Sequence, residues 1–267
     1  MFWRKGDEIK TVSVTDRSFQ YGDGCFTTML TRHGMIEHWP LHVERLERAL
    51  AALNIAAPNW APLEQELVSH ALLQERAGLK IHISRGEGGR GYSPQGLTPL
   101  ITISAFSYPS QYQKWQSEGI NLGICERRLG INPLLAGLKH NNRLEQILLK
   151  DELESHGFHD GIALNLDGYV IETTMANLFW VTDGSLYTPA LNLSGVSGVM
   201  RKCVLQEAEI LGYQVVVGDF QLDSLYEAQE LFICNSLLGV APVTQIAGTS
   251  FKIGTITRDI QERLGQW

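Results

Sequence analysis

The sequence predicts a mixed α/β (α+β) fold in two domains, with antiparallel-rich sheets and flanking helices. Three observations carry this expectation: Leu and Ala at helical spacing early in the chain, short runs rich in β-branched residues, and a hairpin series marked by Asp167-Gly168 and Asp183-Gly184. With 267 residues, 44% of them hydrophobic, the chain can bury a substantial core as one large domain or two modest ones.

Taken in order, Leu41 to Leu53 and Leu63 to Gln74 carry apolar residues at helical spacing, while Leu79 to Ser84 and Pro99 to Ser107 read as strands. Turn formers without a clear period follow from Tyr108, so residues 108–118 are expected as a linker. It separates a small N-terminal α/β domain, 1–107, from a larger C-terminal domain, 119–267. The second domain opens with a strand at Ile120 to Cys125 and a helix over about Asn142 to Ser155. Four apolar runs then follow, GIALNL, YVIETT, NLFWVT and SLYTP, and Asp-Gly between such runs is a strong hairpin signal. A helix from Val199 to Leu211, a strand from Glu230 to Asn235 and a helix near Ile256 to Leu264 complete the pattern. No GxGxxG or P-loop sits at a strand-to-helix turn, so a nucleotide fold is not favoured.

Composition narrows the function classes. A net charge of −7 disfavours nucleic acid as the main partner, because phosphate contacts need clustered Lys and Arg. The opening MFWRKGDEIK has no apolar stretch after its basic pair, and no apolar run reaches the roughly 18 residues of a membrane span, so no signal peptide or span is expected. Cys25, Cys125, Cys203 and Cys234 lie far apart with no CxxC pair, which reads as reduced packing residues in a cytoplasmic protein. His38 and His42 have i, i+4 spacing, but Pro40 between them argues against one helix face, and no metal site is expected.

A few residues could carry chemistry, each with a plainer alternative. Lys139, in LLAGLKHNNRLEQ, precedes the expected long helix. A helix N-terminus disfavours an ammonium and lowers its pKa, as an amine nucleophile needs, yet a lone lysine there is equally a solvated loop residue. Ser197-Gly198-Val199-Met200 runs into a helix whose free N–H groups suit a phosphate, although most helix starts bind nothing. Asn235-Ser236 closes an apolar strand, as site-lining or as turn residues. Glu172, between apolar neighbours in YVIETT, is either an outward glutamate or a carboxylate facing a protonated ring nitrogen. Arg45 could be the charged side of an amphipathic helix. Singly, these residues leave function open.

Together, the motifs resemble the fold-type IV pyridoxal-phosphate family, which includes branched-chain aminotransferases, D-amino-acid aminotransferases and a lyase acting on aminodeoxychorismate. The resemblance runs through DRSFQYGDGCFTT, HVERL, KHNNRLEQ, GYVIETTMANLFW, SGVMR and FICNSLLGVAPV, nearly the whole chain. It implies a two-domain, D-amino-acid aminotransferase-like fold and pyridoxal 5′-phosphate as cofactor. By motif, Lys139 corresponds to the Schiff-base lysine, expected in the larger C-terminal domain. Arg45, with the backbone N–H groups of Val199 and Met200, corresponds to the phosphate clamp, Glu172 to the partner of the pyridine nitrogen, and Asn235 and Ser236 to the strand end closing the same site.

Within the family, the segment SRGEGGRGY, residues 84–92, separates the branches. Arg90-Gly91-Tyr92 lacks the histidine of the Arg-x-His in D-amino-acid aminotransferases. Leu144 stands where branched-chain aminotransferases have a tyrosine five residues after the lysine, and their GDVGMG-like stretch is missing. The chain is more similar to the lyase branch, which forms 4-aminobenzoate and pyruvate in folate biosynthesis. Arg90 and Tyr92 are then candidates to hold the substrate's carboxylates, with Arg85 and Arg127-Arg128 behind them, and a homodimer is implied. An aminotransferase of the same fold and a non-catalytic binding protein remain as alternatives.

Overall fold

The computed structural model describes residues 1–265 and divides them into two compact units. Unit 1 comprises Met1–Pro109 together with Leu138–Arg143. Its six strands are β1 (Phe2–Arg4), β2 (Asp7–Glu8), β3 (Gly24–Arg32), β4 (Met35–Ile36), β5 (Ala77–Ser84) and β6 (Leu100–Ser107). They form one sheet in the order β2-β1-β6-β5-β3-β4, with every neighbouring pair antiparallel. Three helices accompany it: α1 (Arg17–Tyr21), α2 (Trp39–Leu53) and α3 (Trp60–His70).

Alternation along β5 sets the two faces of this sheet. Leu79, Ile81 and Ile83 are fully buried, whereas Lys80 and His82 on the opposite face are half-buried. Helix α2 buries Trp39, His42, Leu46, Ala49 and Leu50, a stripe at three- and four-residue intervals that must face a core. The helix starts two residues before the expected Leu41. Pro40 occupies its first turn, where a missing N–H costs nothing, so proline does not separate His38 from His42 as the sequence suggested.

Unit 2 comprises Ser110–Gly137 and residues from Leu144 onward. It contains α4 (Gln111–Glu118), β7 (Ile120–Ile124), α5 (Leu144–Ser155), β8 (Gly161–Leu164), β9 (Val170–Thr173), β10 (Asn177–Thr182), β11 (Ser185–Pro189), α6 (Val199–Ile210), β12 (Val215–Gly218), α7 (Asp223–Tyr226), β13 (Glu230–Asn235), β14 (Gly239–Ile246), β15 (Thr249–Ser250) and α8 (Thr255–Arg263). The sheet order is β12-β11-β10-β13-β14-β7-β8-β9, with β15 on β14. The pairs β7 with β8, β7 with β14 and β11 with β12 are parallel, and the others antiparallel. Strands β10 and β13 are buried almost throughout, as central strands covered on both faces must be. Leu122, Leu178, Trp180, Ile233 and Val243 lie at the centre of that core.

The expected domain boundaries need two corrections. Residues 108–118 are not a free linker, because Gln111–Glu118 forms α4 and belongs to unit 2. Lys139 does not lie in the C-terminal unit, because Leu138–Arg143 joins unit 1. The reason is local pairing: His140 bridges Cys25 antiparallel, Lys139 O accepts from Phe26 N at 3.0 Å, and Asn141 N donates to Gly24 O at 2.9 Å. Gly24 makes this approach possible. A Cβ there would stand 2.0 Å from Ile83 O and 2.5 Å from Asn141 Nδ2.

Candidate active site

In unit 1, the short added strand at Lys139 sets the lysine against β3. Its Nζ stands 4.7 Å from the centroid of the Phe26 ring. The side chain is half-buried, and its backbone carbonyl is fixed on Phe26 N. Helix α5 starts at Leu144, later than the expected Asn142, so Lys139 is not in the first turn. A helix dipole acts within that turn, so it does not explain activation of this amine. A second ammonium lies against the same ring: Lys80 Nζ is 4.4 Å from the Phe26 centroid. Nothing in the sequence singled out Lys80, since it lies 59 positions from Lys139 and only the sheet register brings the two together.

Arg45 lies on the other side of β3. Its Nη2 donates to Thr27 Oγ1, and Thr27 Oγ1 also stands 2.6 Å from His42 Nδ1. The Arg45 Nε is buried with no hydrogen-bond partner among the described residues. Burial pulls this guanidinium down to about 10, with Cys25 opposing weakly, and it remains a cation at neutral pH. The Cys25 thiol beside it is pushed up to about 12 by burial and stays protonated. A desolvated cation with an unused donor is the arrangement an anionic group completes.

In unit 2, Glu172 is 6% exposed in β9. Its Oε2 accepts from Val196 N at 3.0 Å and from Asn177 Nδ2 at 3.4 Å. The turn carrying Val196 is pinned by Gly137, whose N donates to Gly195 O and whose O accepts from Ser197 N. Gly198 then caps α6 without a side-chain hydrogen bond, which leaves the first N–H groups of that helix to other partners. Val199 and Met200 begin α6 with their side chains buried. Arg201, in the same turn, donates to Pro189 O at 3.0 Å and is close enough to Glu172 for the carboxylate to oppose the lowering of its pKa by burial.

The remaining expected residues fall less evenly. Asn235 spends its amide on the turn after β13, accepting from Leu237 N and Leu238 N and donating to Met175 O, so it shapes the strand end. The half-buried Ser236 hydroxyl has no hydrogen-bond partner among the described residues. Arg90 is exposed, and Tyr92 is 85% exposed with its ring against Tyr21. Arg85 is consumed structurally, bonding Asp23 at 2.8 Å and the carbonyls of Leu53 and Asn54. Arg127 pairs with Glu152 at the surface, and Arg128 is exposed. No group of three metal-ligating side chains occurs among the described residues, and no described helix is long and apolar enough to cross a membrane.

A family model, amino-transferase class IV, matches residues 24–246, and the chain belongs to that family. It is 54% identical to an aminodeoxychorismate lyase of Vibrio harveyi, over 99% of each chain. It also superposes on the crystal structure of 4-amino-4-deoxychorismate lyase from Pseudomonas aeruginosa with a TM-score of 0.91, at 36% identity and covering 100% of this chain and 98% of that one. A branched-chain amino acid aminotransferase of Escherichia coli shares the fold, with a TM-score of 0.89 at 24% identity over 99% of this chain and 93% of that one. The cofactor of this fold-type IV family is pyridoxal 5′-phosphate. The residues present fit that group: a lysine, an unpartnered buried guanidinium N–H, an uncapped helix start and a buried carboxylate match an aldehyde, a phosphate and a ring nitrogen.

Proposed function

We propose that the chain is a pyridoxal-phosphate-dependent lyase that converts 4-amino-4-deoxychorismate to 4-aminobenzoate and pyruvate. The observation that carries this reading is the 54% identity, end to end, to an aminodeoxychorismate lyase. The cofactor, when bound, supplies a carbon electrophile for the substrate amine and a ring that accepts the electrons released beside it. Lys139 would hold the cofactor covalently through Nζ. By family motif, Arg45 of unit 1 would hold the phosphate, as would the N–H groups of Val199 and Met200 and the Ser236 hydroxyl of unit 2. Glu172 would meet the ring nitrogen and keep it protonated, and Val196 N and Asn177 Nδ2 orient its carboxylate for this role.

The Lys139 amine would take the proton from the ring carbon bearing nitrogen. The same amine returns a proton to the methylene of the departing enolpyruvyl unit, which leaves as pyruvate while the ring becomes aromatic. Atoms balance with no other reactant, and Lys139 ends as it began. A positioned acid–base group of this kind contributes about 10²–10⁴-fold.

Arg90 and Tyr92 are assigned to substrate carboxylates in the setting of a homodimer. The exposed apolar side chains of Val14 and Tyr92 support contact with a second copy. The four cysteines, all free and buried, fit the reducing cytoplasm. Incubation with aminodeoxychorismate tests the reaction: 4-aminobenzoate and pyruvate appear in equal amounts, and borohydride fixes the cofactor on Lys139. Faster turnover of D-alanine with 2-oxoglutarate would instead identify an aminotransferase.

A further inference from the structure

The geometry points to Lys80 as the residue that recognises the ring carboxylate of the substrate and product. This inference rests on the lyase reading and adds a specificity residue to it. Lys80 and Lys139 both stand against one aromatic ring, with Nζ atoms 4.4 and 4.7 Å from the Phe26 centroid. The two lysines come from different strands, and the register that sets Phe26 opposite His82 and Thr28 opposite Lys80 holds them there.

Lys80 is half-buried, with no ion pair or hydrogen bond among the described residues, and burial lowers its pKa. A desolvated ammonium without a counter-ion costs free energy that a bound carboxylate recovers. Lys80 also lines a cavity of about 610 Å³ in unit 1, whose other charged residues are Arg4, Lys10 and Asp16. Arg4 pairs with Asp16 at 3.4 Å, and burial brings His82 down to about 4, which keeps it neutral. Lys10 and Lys80 thus leave the cavity an excess of positive charge, and Lys80 is the residue common to the cavity and the Phe26 ring.

The substrate presents two separate ends. Its amine and its ring carboxylate sit on opposite carbons of a rigid six-membered ring, so a group that binds the amine end cannot also bind the carboxylate. Lys139 acts at the carbon bearing the amine, and Lys80 meets the carboxylate at the other end of the ring. An amino acid carries its carboxylate one carbon from its amine and presents no such distant acid group. Lys80 therefore favours the long cyclic amino acid over short ones.

The experiment compares wild type with Lys80→Met and Lys80→Arg, each loaded with cofactor. In Lys80→Met, KM for aminodeoxychorismate rises about ten- to hundredfold while kcat changes little, as expected when a charged hydrogen bond made equally in ground and transition states is lost. Inhibition by 4-aminobenzoate weakens by a similar factor. Wild type prefers 4-aminobenzoate to the uncharged 4-aminobenzamide as inhibitor, Lys80→Met loses that preference, and Lys80→Arg keeps it. A purely structural role for Lys80 does not move an acid-against-amide ratio. An unchanged ratio in Lys80→Met, with wild type active as a lyase, overturns this inference alone. A wild type that releases no 4-aminobenzoate overturns the lyase reading, and the inference with it. If Lys80→Met does not fold, Lys80→Gln carries the same comparison.

Discussion

Val196 N donates to Glu172 Oε2 at 3.0 Å, and this bond ties the orientation of a buried carboxylate to the turn that opens helix α6. The adjacent Asn177 Nδ2 bonds both the carboxylate and Val196 O, so strand β10, strand β9 and the turn hold one another. The groups proposed for the two ends of the cofactor in unit 2 are therefore one hydrogen-bonded assembly.

Glu172→Gln keeps an oxygen for Val196 N but removes the charge. The protein is expected to fold with a melting temperature near wild type, while kcat falls roughly 10²–10³-fold, the usual cost of a lost electrostatic stabiliser. Steady-state kinetics beside a thermal melt checks this, and retained kcat would contradict the assigned role.

Gly198→Ala strikes the same assembly. The new Cβ would lie 2.1 Å from Asn177 Oδ1, and Asn177 cannot retreat without breaking its bonds to Val196 and Glu172. Destabilisation of about 1–3 kcal/mol is expected, with weaker cofactor binding. Urea unfolding of the cofactor-free protein measures the first effect and cofactor titration the second.

Arg45→Met removes a desolvated cation whose Nε has no hydrogen-bond partner among the described residues. Cofactor affinity is expected to fall about ten- to hundredfold, from the roughly 1.5–3 kcal/mol of a charged hydrogen bond. Stability of the cofactor-free protein should not fall in proportion, because no buried carboxylate is orphaned. Equilibrium titration of the two proteins with pyridoxal phosphate decides.

Three histidines make stability depend on acid. Burial, with Arg45 and His38 adding to it, holds His42 well below 6.5, and burial brings His82 and His140 down to about 4. Unfolded histidines protonate near 6.5, so between that value and about 4 the unfolded chain binds more protons. Stability is therefore full above 6.5 and is lost as pH falls, at up to about 1.4 kcal/mol per pH unit for each histidine. Urea midpoints at pH 7, 6 and 5 should decline in that order. A flat series would show these rings to be open to water.

The amino-acid sequence determined by itself whatever depends on neighbours along the chain. The Asp-Gly turns at 167–168 and 183–184 place β8 against β9 and β10 against β11, because turn geometry sets the pairing of adjacent strands. The helices that begin at Trp39 and Val199 were legible from the sequence, and the family motifs put forward Lys139, Arg45 and Glu172 as candidates. The tertiary structure decided the rest. It moved Lys139 into unit 1 by pairing His140 with Cys25 across 115 positions of sequence, and it separated β9 from β10 in the sheet order by setting β13 beside β10. The long strands β3 and β14, which no local pattern announced, sit inside their sheets and take their register from partners distant in sequence. Lys80 shows the same limit. Its place on the Phe26 ring beside Lys139 follows from hydrogen bonds between remote strands, and local residue patterns do not encode that distance.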